Sequence, residues 1–264
     1  MARFCPLFSG SSGNSYYIGS ASSGILVDAG RTAKQLINML DFCGIEISAV
    51  KAIFVTHEHS DHVKGLRVLA SRYHLPVYSS FGTLSALDNM GCLNGNFQSE
   101  VIDERGVECS GVFIKPFHTS HDSAESVGYC IQTQDGRSVA ISTDLGYMSD
   151  EVRGAISGID LVVLESNHDI GMLNNGPYPY PLKKRILSAT GHLSNLACAD
   201  ELCALAESGT MRFVLAHLSS ENNTPELAYQ TSLCSLTLAG LKLGTDFELC
   251  VAPKENITGK ITIF

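Results

Sequence analysis

Short apolar segments of strand length recur along the chain, at Ser15–Ile18, Gly24–Asp28, Ala52–Thr56, Val112–Phe117, Val127–Gln132, Ser138–Ser142, Leu161–Leu164 and Arg212–Ala216. Between them the period lengthens to that of helices. Thr32 with Gln35 three residues on reads as a capping box, opening a helix that ends near Gly44. Ser194 opens another, with Leu196, Ala199, Leu202 and Ala206 on one face and Gly209 closing it. Thr224-Pro225 reads as an N-cap followed by proline at the first helical position. Strands gather early and in the middle, with helices between them and a helix-rich last third, which predicts sheets covered by helices. Asn174–Pro181 (NNGPYPYP) is too rich in Pro, Gly and Asn for regular structure and reads as a loop, not a domain linker.

A chain of 264 residues with 44% hydrophobic and 17% charged residues has enough apolar material for one sizeable core, which excludes a disordered chain. No apolar run reaches the ~18 residues of a membrane span. The start, MARFCPLFSGSSGN, turns polar and Gly-rich too soon for a signal peptide. The nine cysteines show no CxxC pair, which argues against a zinc ribbon. Several, such as Cys198, Cys203 and Cys234, lie in helix-like apolar patterns and read as reduced core residues of a cytoplasmic protein.

The strand Ala52–Thr56 runs directly into His57-Glu58-His59-Ser60-Asp61-His62. Three imidazoles and a carboxylate within six residues form a dense set of nitrogen and oxygen donors, suited to zinc, manganese or iron. In an extended segment His57 and His59 point the same way and can share one ion. Asp61 and His62 follow the turn into a helix and can address a second ion. The net charge of −9 argues against nonspecific nucleic-acid binding, but two divalent cations would add about +4 at the site itself.

These residues carry a resemblance. THEHSDH resembles the signature of the metallo-β-lactamase superfamily, and further motifs follow in the family's order: Asp28 in ILVDAG, His121 in FHTSHDSAESVGY, Asp144 in ISTDLGY and His217 in VLAHLSSENN. The resemblance implies a single α/β domain over residues 1–264, a four-layer αββα sandwich with the metals at one edge. It implies that His57, His59 and His121 hold one ion, that Asp61, His62 and His217 hold the other, and that Asp144 bridges them, with Asp28 supporting the metal loop. His118 competes with His121 for the third-motif role, and Asp28 before Ala-Gly also reads as simple turn chemistry. Within the superfamily, SGSSGNSYYI, ESNHD, NNGPYP, GHLSN and HLSSENN resemble the WalJ/VicX/YycJ-like group, which is associated with DNA exonuclease activity and mismatch repair. GHLS also parallels the Gly-His-Ser-Thr segment of the tRNA 3′-processing nucleases, though Leu193 departs from it and their long exosite arm is not evident.

Two ions about 3.5–4 Å apart can share a hydroxide and make it nucleophilic at neutral pH. Asp61 has a second oxygen that can take the proton of the attacking water. An alkoxide leaving group needs a proton, and His192 is the candidate donor, with Glu165 to orient it and raise its pKa. His168 is a second candidate for phosphate contact, and the helix opening at Ser194 offers free N–H groups. Lys183 and Lys184, next to Arg185 and the loop with Tyr178 and Tyr180, could grip a backbone and stack bases, or be a solvated helix face. Asn222 and Asn223 complete the candidate substrate contacts. Ser9–Ser15 suggests a phosphate cradle but reads better as a tight turn. The expected function is a two-metal nuclease, acting on DNA rather than RNA from a 5′ end, with no membrane association. The alternatives are a small-molecule ester, thioester or lactone hydrolase, a tRNA 3′-processing-like ribonuclease, and a metal-binding scaffold.

Overall fold

The computed structural model describes residues 1–264, which divide into two compact units. The first comprises Met1–Pro116, Ser123–Arg137 and Pro253–Phe264, and the second Phe117–Asp122 and Ser138–Ala252.

The first unit is built on β1 (Arg3–Phe8), β2 (Ser15–Gly19), β3 (Gly24–Val27), β4 (Val50–Phe54), β5 (Val77–Ser79) and β6 (Ser99–Val101). They lie side by side in that order, with the terminal strand Thr262–Ile263 outside β1. β1 to β3 are antiparallel, and β3 to β6 are parallel. Helix α1 (Ala33–Phe42) has the expected capping box: Thr32 accepts from Gln35 N, and Gln35 reaches back. The chain turns out of it at Gly44, at φ +68°. Two helices follow β4, α2 (Ser60–Val63) and α3 (Leu66–Tyr73), and α4 (Phe81–Asn89) follows β5. Leu36 and Leu40 of α1 and Leu66 and Leu69 of α3 pack with Leu26, Ile53 and Val55 in one buried core. The hairpin β7 (Val107–Cys109) and β8 (Val112–His118) and the strand β9 (Val127–Thr133) complete the elements that begin in this unit.

The second unit repeats a strand–helix pattern. Its strands are β10 (Ser138–Ser142), β11 (Leu161–Glu165), β12 (Arg212–Ala216) and β13 (Glu248–Val251), parallel in sequential order. β11 is buried at every position, which explains its unbroken apolar run Leu-Val-Val-Leu. Crossovers between the strands carry α5 (Asp150–Ile156), then α6 (Ile170–Asn175), α7 (Tyr180–Ile186) and α8 (Asn195–Glu207), then α9 (Pro225–Leu238). Ser194 and Thr224 cap α8 and α9 as expected.

Three sequence readings change. The segment 174–181 is not all loop: α6 runs to Asn175 and α7 starts at Tyr180 with Pro181 in its first turn, where proline costs no hydrogen bond. The buried face of α8 is Asn195, Cys198, Ala199, Leu202 and Leu205, so Leu196 is exposed. The reason is polar: Asn195 turns inward to bond Ser166 and Asn223. Cys234 is exposed and not a core residue, because α9 buries Ala228, Ser232 and Leu236, a stripe that excludes it.

Candidate metal centre

Both units set polar side chains at the carboxyl ends of parallel strands, where such sheets bind ligands. Five non-glycine residues have positive φ, and three are Asp28, Asp144 and His217, each within two residues of a strand's end. Such backbone costs about 1–3 kcal/mol and persists where the surroundings enforce it.

In the first unit the chain leaves β4 through Val55 and Thr56 into the histidine segment. Asp28, fully buried, holds that segment. Its Oδ1 accepts from Thr56 N at 2.8 Å, and its Oδ2 accepts from Thr56 Oγ1 at 2.9 Å and meets His62 Nδ1 at 2.8 Å. A carboxylate on Nδ1 fixes the tautomer and leaves Nε2 as the acceptor nitrogen, the atom a metal would take. His62 Nε2 lies 3.6 Å from Asp61 Oδ2. Two ligands at about 2.1 Å from a tetrahedral ion are about 3.4 Å apart, so this pair fits one metal. His57 Nδ1 meets Thr56 Oγ1 at 3.1 Å, and the His57 and His59 ring centroids are 4.6 Å apart. Glu58 alternates away and accepts from Ala124 N at 2.8 Å.

Asn14 and Gly30 were not among the sequence candidates. Asn14 N donates to Asp61 O at 2.8 Å, and its Nδ2 is 3.1 Å from His62 Nε2. A Cβ on Gly30 would sit 1.7 Å from Asp61 O, so only glycine lets this turn pack on the metal loop. The signal for Asn14 was present in SGSSGN, whose tight turn presents it, but nothing in the pattern points that turn at residues 61 and 62.

In the second unit, donor atoms of Asp144, Glu165, His192 and His217 lie within 4.8 Å of one another. His217 Nδ1 is 2.7 Å from Asp144 Oδ2, and His121 Nε2 is 3.8 Å from Asp144 Oδ1. His121 Nδ1 donates to Gly191 O at 3.1 Å, which leaves Nε2 as the acceptor nitrogen facing Asp144. His121 is buried, whereas His118 is exposed with Nδ1 3.2 Å from Glu151. His121 is thus the histidine of that segment beside Asp144. Glu165, fully buried, accepts from Leu145 N and Leu193 N on Oε2 and meets His192 Nδ1 at 2.8 Å with Oε1. Burial pulls the His192 pKa down, but Glu165 and Asp144 outweigh it, and the net direction is up.

Other sequence candidates take different places. His168 is buried, and burial lowers its pKa to about 4, so its ring is neutral and sits outside the cluster around Asp144. Asn223 spends its amide on Asn195, Ser166 and Asn167 and on Thr224 N. Asn222 is buried against Ser219, and its carbonyl accepts from Asp169 N. Lys183 donates to the carbonyls of Asn174 and Gly176, both at 2.8 Å, and ties the loop before its own helix. Arg185 forms a forked ion pair with Asp122. Lys184 remains exposed.

A family model described as the β-lactamase superfamily domain matches residues 24–218. The chain belongs to that superfamily and is a metal-dependent hydrolase. It is similar to the crystal structure of the metallo-β-lactamase fold protein YhfI from Bacillus subtilis, at TM-score 0.73 and 16% identity over 99% of this chain and 98% of that one, which shows an α/β sandwich. Among curated proteins it is 39% identical over 251 residues to Exodeoxyribonuclease YycJ of Bacillus anthracis, covering 94% of each. It is 36% identical over 250 residues to Exodeoxyribonuclease WalJ of Streptococcus pneumoniae serotype 2 (strain D39), covering 94% of this chain and 93% of that one. These matches set it in the WalJ/YycJ-like group. No helix is long and apolar enough to cross a membrane.

Proposed function

We propose that this protein is a two-metal exodeoxyribonuclease of the cytoplasm, degrading DNA from a 5′ end in repair. The names of its relatives, Exodeoxyribonuclease YycJ and WalJ, support the substrate. The observation that carries the chemistry is the bond between His192 and buried Glu165, 2.8 Å long, beside Asp144. A thiolate or an activated ester leaves without help, whereas a nucleotide alkoxide needs a proton. An imidazole held by a carboxylate, which favours its protonated form, is a group suited to deliver one.

The proposed ligands are His57, His59, Asp61, His62, His121, Asp144 and His217. Two zinc or manganese ions held there would supply a nucleophile at neutral pH and positive charge against the phosphoryl oxygens. The chain's own groups do the rest. Asp61 accepts the proton of the attacking water. His192 Nε2 hands a proton to the departing oxygen, while Glu165 holds Nδ1 and compensates the imidazolium charge. Asp28 keeps His62 in the ligating tautomer.

The test offers purified protein with manganese or zinc to end-labelled DNA, end-labelled RNA, bis(p-nitrophenyl) phosphate and a thioester in parallel. Stepwise shortening of DNA from the 5′ end is expected. Thioester turnover without phosphodiester cleavage would overturn the reading.

A further inference from the structure

The segment 170–199 carries Lys183, Lys184 and Arg185 and no Asp or Glu, on a chain of net charge −9. Within it lies a cavity of about 600 Å³ lined by Asn174, Tyr180, Lys183, Lys184, Leu187 and Ser188. That volume has room for a nucleotide-sized group. Tyr180 is 77% exposed at its edge, although a tyrosine of this size is usually at least half covered. Pro179 and Pro181 flank Tyr180, so the backbone that presents the ring is already stiff, and little freedom is lost when something stacks on it. The loop under the cavity is stiffened too, because Lys183 staples Asn174 and Gly176.

We propose that Tyr180 and Lys184 form a strand-holding subsite for single-stranded DNA, with a base stacked on the Tyr180 ring and a phosphate on the Lys184 ammonium. The inference rests on the nuclease reading and adds where the strand runs. The chemistry at one edge, a bare aromatic face beside a cation on a segment that carries no acidic residue of its own, is that of proteins that hold single strands irrespective of base. The subsite is coupled to the proposed proton donor through the backbone. His192 N donates to Ile186 O, the last residue of α7, at 3.0 Å. Gly191 is pressed on the same helix end, where a Cβ would come within 2.4 Å of the carbonyl oxygens of Arg185 and Ile186. Tyr180 and Ile186 are separated by about 9 Å of helix axis, the length of two or three stacked nucleotides. A strand lying along α7 would therefore pass from Tyr180 toward His192.

The experiment measures binding of a fluorescent single-stranded oligodeoxynucleotide of about 12 nucleotides to the full chain, treated with chelator so that the strand survives, by anisotropy over a salt series. Tyr180→Ala is expected to weaken binding roughly 5- to 150-fold, the worth of one stacked base, and Tyr180→Phe to keep wild-type affinity. Lys184→Ala is expected to make the slope of log K against log salt shallower by about 0.7, the loss of one phosphate contact on a single strand. Both side chains are exposed, so circular dichroism should show all variants folded. Wild-type affinity in Tyr180→Ala together with an unchanged salt slope in Lys184→Ala would overturn the subsite and assign the cavity to some other partner. The activity panel on the wild-type protein separates the two readings. Thioester turnover alone refutes the nuclease, whereas DNA cleavage with unaltered binding in both variants refutes only the subsite.

Discussion

Replacing Glu165 by glutamine isolates what a buried carboxylate does for His192. The wild-type group has no exposed surface, and each oxygen is engaged: Oε2 takes the N–H groups of Leu145 and Leu193 at 3.1 and 3.0 Å, and Oε1 meets His192 Nδ1 at 2.8 Å. Glutamine fills the same space. Its one carbonyl oxygen stays on the two backbone donors, since stranding either would cost about 1–3 kcal/mol. Its NH2 group then faces His192 Nδ1 and turns that nitrogen into an acceptor. The imidazolium form loses its counter-charge, a loss of about 1.5–3 kcal/mol for a hydrogen bond to a charged group. Cleavage of DNA should therefore slow roughly 10- to 150-fold in Glu165→Gln. His192→Ala, which removes the donor outright, should slow it roughly 10²–10⁴-fold. The double variant should be no slower than His192→Ala within about threefold, because Glu165 acts through His192. Rates would be measured on end-labelled DNA and on bis(p-nitrophenyl) phosphate, with metal content determined for each variant. The p-nitrophenyl substrate, whose leaving group needs little protonation, should fall much less. Multiplicative losses in the double variant, or equal losses on both substrates, would refute a proton-donor role held in place by Glu165.

Asp61→Ala should abolish hydrolysis with the fold intact by circular dichroism, and activity within a few-fold of wild type would refute its double role as ligand and proton acceptor. Gly30→Ala forces a Cβ to 1.7 Å from Asp61 O, so it should destabilise the protein by at least about 1–3 kcal/mol in chemical unfolding and lower metal content with it. Chelation should lower the melting temperature by roughly 5–10 °C, from about 2.7 kcal/mol of linkage at 100-fold excess of metal over Kd; calorimetry with and without manganese checks it, and an identical transition would count against both ions.

Much of the fold was legible because its strands are short buried runs and its helices open on strong caps. Ser138–Ser142 and Arg212–Ala216 are strands at the expected residues, and Thr32, Ser194 and Thr224 all cap helices. β1 escaped the pattern because Pro6 interrupts it, at the point where its pairing with β2 shifts register. β5, β6 and β7 span three residues each, too few for alternation to register. At the site, residue type and spacing identified the dense histidine segment, and the pairing of Glu165 with His192 is present at 2.8 Å although 27 residues separate them. What the pattern could not separate is a polar residue facing the site from one that ties loops together. Asn223 and Lys183 have the composition of substrate contacts, and only their partners show that they serve the backbone. Asn14 is the converse, a turn residue by pattern that bonds the metal loop.

One device occurs in each unit, and it explains why buried acids sit where a hydrophobic core would tolerate few. Asp28 and Glu165 are both fully buried, each gives one oxygen to the backbone (one N–H for Asp28, two for Glu165), and each gives the other to a histidine Nδ1 at 2.8 Å. The backbone donors matter as much as the histidine. A carboxylate bonded only to an imidazole could rotate, or take up a proton and release it, whereas one anchored by the main chain as well cannot move without breaking that bond. Thr56 anchors Asp28 at the exit of β4, and Leu145 and Leu193 anchor Glu165 at turns after β10 and before α8. The imidazole plane is thereby set by the fold, with Nε2 directed away from the acid. For His62 that nitrogen lies beside Asp61, where the proposed ligand set would put a metal. For His192 the same geometry would present the proton that the proposed mechanism calls for. The difference in role follows from what faces Nε2, and the positioning chemistry is shared.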